Sequence, residues 1–179
     1  MSQEVTKLEL GCGPNPTPGY FHTDITEFDC VDLVAAPWDI DLPDNSLEEV
    51  IALGVMEHLT YEQCEKCLVN VSRMLKPGGK FYCDVPDIRV WCKYVVDHFE
   101  GKETPFPIHH LLSTLYGWQR WPGDEHQSGW YPELLEEYLE KTGFEKREYG
   151  VEYFLNAGHK RNRFFKSHDA HLYCVAEKS

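Results

Sequence analysis

The chain is short of positive charge, of long apolar runs and of the spacings that hold structural metals. Its 179 residues carry 17 Lys and Arg against 30 Asp and Glu, a formal net charge of −13. A surface that acidic repels nucleic acid phosphates and anionic membranes over long range, which argues against both as partners. The one local exception is the run Lys160-Arg161-Asn162-Arg163-Phe164-Phe165-Lys166. It reads either as a solvated loop before the last strand or as a clamp for an anionic substrate. No apolar run approaches the roughly 18 residues that cross a membrane. Met1-Ser2-Gln3-Glu4 lack the charged and apolar regions of a signal peptide. The seven cysteines are an odd number. Cys64 and Cys67 form one C-x-x-C, with no second C-x-x-C and no His pair at zinc spacing, so buried thiols and no metal are expected. These absences predict a reducing, cytoplasmic setting. No internal repeat, low-complexity tract or linker interrupts the chain, and its length suits one domain spanning residues 1–179.

What is present is organised around Lys7-Leu8-Glu9-Leu10-Gly11-Cys12-Gly13 and, ten residues later, His22-Thr23-Asp24-Ile25. The first reads as a buried strand ending in a glycine turn, the second as a strand ending near a carboxylate. In α/β sheets ligands bind outside the carboxyl ends of such strands. Glycines there admit a ligand close to the backbone, and a carboxylate on the next strand can accept two hydrogen bonds from a ribose diol. A dinucleotide fingerprint would need a third glycine opening a helix. Position 16 is Pro16, with Pro14 and Pro18 about it, which disfavours both a helix and a nicotinamide cofactor.

Further strands are expected over Val31–Ala36, Glu48–Leu53 and Lys80–Val85. Thr60 and Gln63 match a capping box. Cys64, Cys67, Leu68, Val71, Met74 and Leu75 make the buried stripe of the helix that follows, which stops at Lys76-Pro77-Gly78-Gly79. Strand, helix and strand in that order imply a parallel, right-handed crossover. Asp87 can cap a helix carrying Ile88, Trp91, Cys92, Val95 and Phe99. A second apolar stripe runs through Ile108, Leu111, Leu112, Leu115 and Tyr116. Gly117 to Gly129, rich in Trp, Gly, Asp and His, reads as a functional loop. Pro132 opens a helix with Leu134, Leu135, Tyr138 and Leu139 inward, ended by Gly143. Phe144–Phe154 and His171–Ala176 read as the last two strands.

With this order in view, Leu8-Glu9-Leu10-Gly11-Cys12-Gly13 resembles motif I of class I S-adenosylmethionine-dependent methyltransferases. Leu42-Pro43-Asp44-Asn45-Ser46-Leu47-Glu48-Glu49-Val50, Val55-Met56-Glu57-His58-Leu59 and Leu75-Lys76-Pro77-Gly78-Gly79 resemble stretches of the small methyltransferases of type 11. Val85-Pro86-Asp87, Leu115-Tyr116-Gly117 and His126-Gln127-Ser128-Gly129-Trp130 resemble a bacterial and phage subgroup often found near sugar-modifying enzymes. The similarity covers roughly Leu8 to Phe144. It implies a Rossmann-like, mostly parallel α/β sheet with an antiparallel last strand and helices on both faces. The first helix is shortened or missing, because Asn15-Pro16-Thr17-Pro18-Gly19 stands where the family fits one.

The resemblance also implies S-adenosyl-L-methionine as cofactor. On that pattern Gly11, Cys12 and Gly13 lie against its methionine part, and Glu9 shapes the turn. Asp24 holds the ribose hydroxyls, and Trp38 and Asp39 contact adenine. Leu53 and Gly54 floor the site, with Glu57 and His58 at its mouth. Each residue also has a plain alternative. Glu9 also reads as a solvated strand residue, Asp24 as a turn cap, Trp38 as core, and Glu57 and His58 as packing for the next helix. If the acceptor is a hydroxyl, a general base helps. His126 is favoured because it lies in the long loop, and His58, Asp87, Tyr116 and the His109-His110 pair are the other candidates. The amino-group and cytosine motifs of nucleic acid methyltransferases are missing. The expected acceptor is a small molecule or saccharide. The competing reading is a catalytically silent binding or interaction module.

Overall fold

The computed structural model describes residues 5–156 and 170–179. The basic run 160–166 lies outside the described residues. The strands are β1 (Lys7–Leu10), β2 (Phe21–Asp24), β3 (Leu33–Val34), β4 (Leu47–Leu53), β5 (Leu75–Pro86), β6 (Phe144–Tyr149) and β7 (His171–Lys178). They form one sheet in the order β3-β2-β1-β4-β5-β7-β6. The pairings from β3 to β5 are parallel, and β7 runs antiparallel to both its neighbours. The Rossmann-like sheet with an antiparallel last strand is therefore present.

Alternation along the strands divides the core between two faces. Leu8 and Leu10, Val50 and Ala52, Phe81 and Cys83, and Cys174 and Ala176 point to one face. Helices α1 (Tyr61–Met74) and α4 (Pro132–Lys141) cover it with Cys64, Cys67, Leu68, Val71, Leu135 and Leu139. Each such large apolar side chain, once buried, contributes roughly 1.5–3 kcal/mol. The capping box of α1 is formed: the Thr60 hydroxyl accepts from Gln63 N at 3.2 Å, and the Gln63 side chain accepts from Thr60 N at 2.9 Å.

The other face carries Ile51, Leu53, Tyr82, Tyr173 and Val175. Among the described residues its cover is Val151, Tyr153 and Phe154 of a short helix, α5 (Val151–Asn156), and Tyr20 from the loop after β1. Helices α2 (Ile88–Phe99) and α3 (Ile108–Tyr116) pair through Trp91, Leu111 and Phe106, and the Trp91 indole donates to Ala170 O at 2.7 Å.

Several expectations need correction. The strand expected over Phe144–Phe154 stops at Tyr149. Gly150 turns the chain at φ +143°, and the apolar residues beyond it form α5, which lays Phe154 on the sheet. The third strand shrinks to Leu33–Val34 because only those residues pair with Thr23 and Asp24. The fifth strand begins at Leu75, ahead of Lys80, through an irregular pairing of Leu75 with Leu47. Cys92 and Phe99 are exposed, because α2 turns Trp91, Tyr94 and Val95 toward α3 instead. On α3, Leu112 and Tyr116 are exposed in the same way. The first crossover helix is absent, as expected: residues 11–20 contain no helix.

Candidate active site

The carboxyl ends of β1, β2 and β4 open onto a cavity of about 1050 Å³. Gly11 and Gly13 follow β1 with φ +59° and +57°, backbone that side chains rarely adopt. At Gly11 a Cβ would also lie 2.7 Å from Val55 Cγ2. Cys12 between them is buried, its N–H bonded to Thr23 O at 3.0 Å, and burial pushes its thiol up to about 12. It is a packing residue of the turn, held protonated at neutral pH.

Asp24 ends β2 facing this turn. One carboxylate oxygen accepts from Gly13 N at 2.9 Å, the other from Thr26 N at 2.8 Å. Asp24 is thus a turn cap, and it also anchors the glycine loop. Each carboxylate oxygen keeps a further lone pair for a ligand.

Glu9 is fully buried, which excludes the solvated alternative. Its carboxylate accepts from Thr17 N at 2.7 Å and from the Thr17 hydroxyl at 2.8 Å, and His22 Nε2 lies 2.8 Å from Thr17 O. Glu9 therefore ties down the proline loop that replaces the first helix. Farther along the loop, the Tyr20 hydroxyl donates to Glu49, which also pairs with Lys7 at 3.4 Å. Burial raises the Glu49 pKa, and Lys7 opposes that shift.

The opposite wall is Leu53, Gly54 and Val55, with Trp38 beyond. Gly54 (φ +66°) donates its N–H to Asp84 Oδ1 at 2.8 Å. Trp38 combines both of its readings: it packs on the core and lines the cavity. Asp39 is exposed and lies outside the lining.

The mouth is built by a single-turn helix, Met56–His58, and the loop after α3. Gln127 N and Ser128 N donate to Glu57 O at 2.8 and 3.2 Å, the Ser128 hydroxyl to Met56 O at 3.1 Å, and Gln127 Nε2 to His58 O at 2.9 Å. These bonds bring His126 onto His58, with ring centroids 4.7 Å apart and edge to face. Burial, with His58 beside it, lowers the His126 pKa to about 4. Burial also lowers His58, against the opposing pull of the Glu125 carbonyl, which lies 3.2 Å from Nδ1. Both rings are neutral near pH 7, which suits acceptance of a proton, although so low a value makes His126 a weak base. Burial, reinforced by Asp84, raises Glu57 to about 8.

The remaining base candidates are not gathered there. Asp87 caps α2 through Arg89 N at 3.0 Å and pairs with the Arg89 guanidinium at 2.9 Å. Tyr116 is exposed, and His110 stacks on Phe106 at 4.6 Å.

Sequence reading missed four contributors. Asp84 sits among apolar neighbours on β5, and that lone charge in a buried strand was its signal. His171, at the start of β7, lies with Nδ1 3.6 Å from Asp84 Oδ2. Arg120 and Asp124 pair at 2.9 Å and hold the outer loop over the cavity, with Arg120 4.2 Å above the Trp121 ring. Nothing in the linear sequence pairs these loop residues with β1 and β2.

A sequence-family model described as a methyltransferase domain matches residues 22–83. No curated protein sequence matches the chain. Among solved structures, a Pyrococcus horikoshii protein is similar at a TM-score of 0.62 and 16% identity, covering 100% of this chain and 84% of its own. An S-adenosylmethionine-dependent methyltransferase from Archaeoglobus fulgidus matches at 0.62 and 16%, covering 97% and 86%. The 1,6-didemethyltoxoflavin N1-methyltransferase of Burkholderia thailandensis, solved with its substrate and S-adenosylhomocysteine, matches at 0.59 and 13%, covering 99% and 72%. The solved structures share the fold with this chain, and the family match places a methyltransferase-domain signature over residues 22–83.

Proposed function

We propose that the chain methylates a small-molecule or saccharide-like acceptor, with S-adenosylmethionine held along the ends of β1, β2 and β4. The observation that carries this reading is the continuity of one cavity. It runs from Gly11, Gly13 and Asp24 to His58 and Gln127 at the mouth, and its volume of about 1050 Å³ is at the upper end of the roughly 300–1,000 Å³ usual for ligand sites. That leaves room for an acceptor beside a cofactor. The fit to the cofactor is local as well. At Gly13 a Cβ would meet no atom within 4 Å, so the turn lies open to the cavity.

The cofactor supplies an electrophilic methyl on a sulfonium, with a neutral thioether as leaving group. The chain's own work is binding, orientation and exclusion of water. Gly11 and Gly13 admit the methionine part to the backbone. Asp24 accepts from the ribose hydroxyls. Trp38 offers a ring face to adenine, and Leu53 and Gly54 floor the site. His58 and His126 stand at the acceptor side, where a neutral imidazole takes the proton that a hydroxyl acceptor releases. The small-molecule substrate of the similar Burkholderia enzyme and the acidic surface both favour a small acceptor over a polyanion.

The lack of a helix over residues 11–20 favours one rival, a module that binds cofactor or a partner without turnover. Calorimetric titration with S-adenosylmethionine and S-adenosylhomocysteine, followed by assay of S-adenosylhomocysteine release over an acceptor panel, tests the proposal. Micromolar binding with acceptor-dependent release supports it. Binding with no release from any acceptor leaves the silent module in its place.

A further inference from the structure

Three buried side-chain atoms find no hydrogen-bond partner among the described residues: Glu57 Oε2, Asp84 Oδ2 and His171 Nδ1. All three belong to one place. Glu57 precedes the cavity-lining His58 and is 5% exposed, Asp84 is 1% exposed, and His171 faces Asp84 at 3.6 Å. Buried polar groups are ordinarily paired, so three orphans in one cluster call for an occupant. Beside them, one donor atom each from Glu57, His58 and His126 lies within 4.8 Å of the others.

The geometry points to a divalent-cation site at the acceptor end of the cavity, ligated by Glu57, His58 and His126, with Asp84 and His171 as its outer partners. Two imidazoles and a carboxylate suit manganese, iron, cobalt or zinc rather than the all-oxygen shells preferred by magnesium or calcium. Such an ion needs ligand atoms roughly 3–4 Å apart, given bonds of ~2.1 Å, so the present spread closes with small side-chain rotations. The imidazoles are already oriented. Glu125 O at 3.2 Å holds His58 Nδ1 and fixes it as the donor. Three protein ligands leave positions open, as at catalytic rather than structural sites. His58 lines the cavity, so those positions face the acceptor. An ion there would hold an acceptor oxygen and lower the pKa of its hydroxyl. The acceptor class that follows is an oxygen nucleophile, alone or with a neighbouring hydroxyl. This role in orienting an acceptor rests on the methyl-transfer reading, whereas binding of the ion does not.

The test is direct titration of chelator-stripped protein with Mn²⁺, followed by the paramagnetic signal of free ion, and with Zn²⁺ in competition with a chromophoric chelator. His126→Ala and Glu57→Gln are compared with the parent, and far-UV circular dichroism confirms that they fold. His126→Asn serves as a second variant should the alanine fail to do so. The expected result is one ion per chain, weakened at least tenfold in the folded variants, with S-adenosylhomocysteine affinity unchanged at position 126. No saturable binding, or equal binding by parent and variants, overturns the site. If the parent binds the ion but no S-adenosylhomocysteine, the cation site stands and the methyl-transfer reading falls.

Discussion

Replacing Asp24 with alanine separates the two duties that its carboxylate performs. In the free protein it accepts from Gly13 N at 2.9 Å and Thr26 N at 2.8 Å. Thr26 is exposed, so water replaces that bond. Gly13 is half-buried, and orphaning its N–H costs ~1–2 kcal/mol. At ~2–4 °C per kcal/mol for a chain of this size, Tm falls by roughly 2–8 °C. In the proposed complex the same carboxylate would accept from two ribose hydroxyls. Hydrogen bonds to a charged group contribute ~1.5–3 kcal/mol each, so their joint loss is at least ~3 kcal/mol, or ~100-fold in Kd. A ligand cycle isolates that part. Calorimetry compares adenosine with 2′,3′-dideoxyadenosine on parent and Asp24→Ala. The parent should prefer adenosine by a factor near 100, and the variant should show almost no preference. The reasoning is refuted if the preference survives in the variant, or if the parent shows none. In either case Asp24 would only cap its turn, and the Tm change would be the whole effect.

Glu9→Ala should destabilise the chain by ~2–4 kcal/mol in urea titration. In a cycle with Thr17→Val, about half of that loss should be shared, because valine removes the hydroxyl bond to Glu9 and keeps the backbone N–H one; strictly additive effects would contradict it. Gly117→Ala places a Cβ 2.1 Å from Asp124 O at φ +80°. It should cost at least ~2 kcal/mol and weaken closure of the outer loop, seen as a lower melting midpoint and a raised KM. At pH 8, thiol titration should report Cys92 first and leave Cys12 and Cys64 unreacted in the folded state, because burial holds both near 12 and their thiolate fraction is ~10⁻⁴; rapid loss of Cys12 would contradict its burial. His126→Ala should lower turnover at least tenfold with S-adenosylhomocysteine Kd within about twofold of the parent, and equal turnover would remove His126 from the chemistry.

The elements that local chemistry dictates were legible in the sequence. The Thr60–Gln63 capping box, the stripe of α1, and the glycine turn after β1 each depend on residues within a few positions, and each formed where expected. The misreadings arose where tertiary pairing decides. Phe154 has the composition of a strand residue, but the turn at Gly150 and the apolar second face make it helix cover. Cys92 and Phe99 fit an apolar helix face that α2 does not use, since α3 docks on Trp91. Asp87 caps its helix as expected, but as a base candidate it is spent, because Arg89, two residues on, bonds both of its oxygens. At the mouth, His58 and His126 are 68 positions apart, and only the bonds from Gln127 and Ser128 to the Met56–His58 carbonyls bring them together. No periodicity encodes such a meeting.

The missing first helix weighs less against catalysis than its absence suggests. Parallel neighbours need a connection that returns along the strand, here four residues or roughly 13 Å. Ten residues, 11–20, span that easily without a helix. What a bare loop loses is order, and two features restore it. Pro14, Pro16 and Pro18 narrow the unfolded ensemble, each contributing ~0.4–1 kcal/mol where its backbone fits. Glu9 then fixes the centre of the loop at Thr17 from beneath, while Asp24 fixes its start at Gly13. Both carboxylates sit at the ends of adjacent parallel strands, so the rigid sheet sets the shape of the glycine turn directly. A module relieved of binding cofactor would have no need to hold that turn open from two sides, and the pinned loop is the reason to expect a working site.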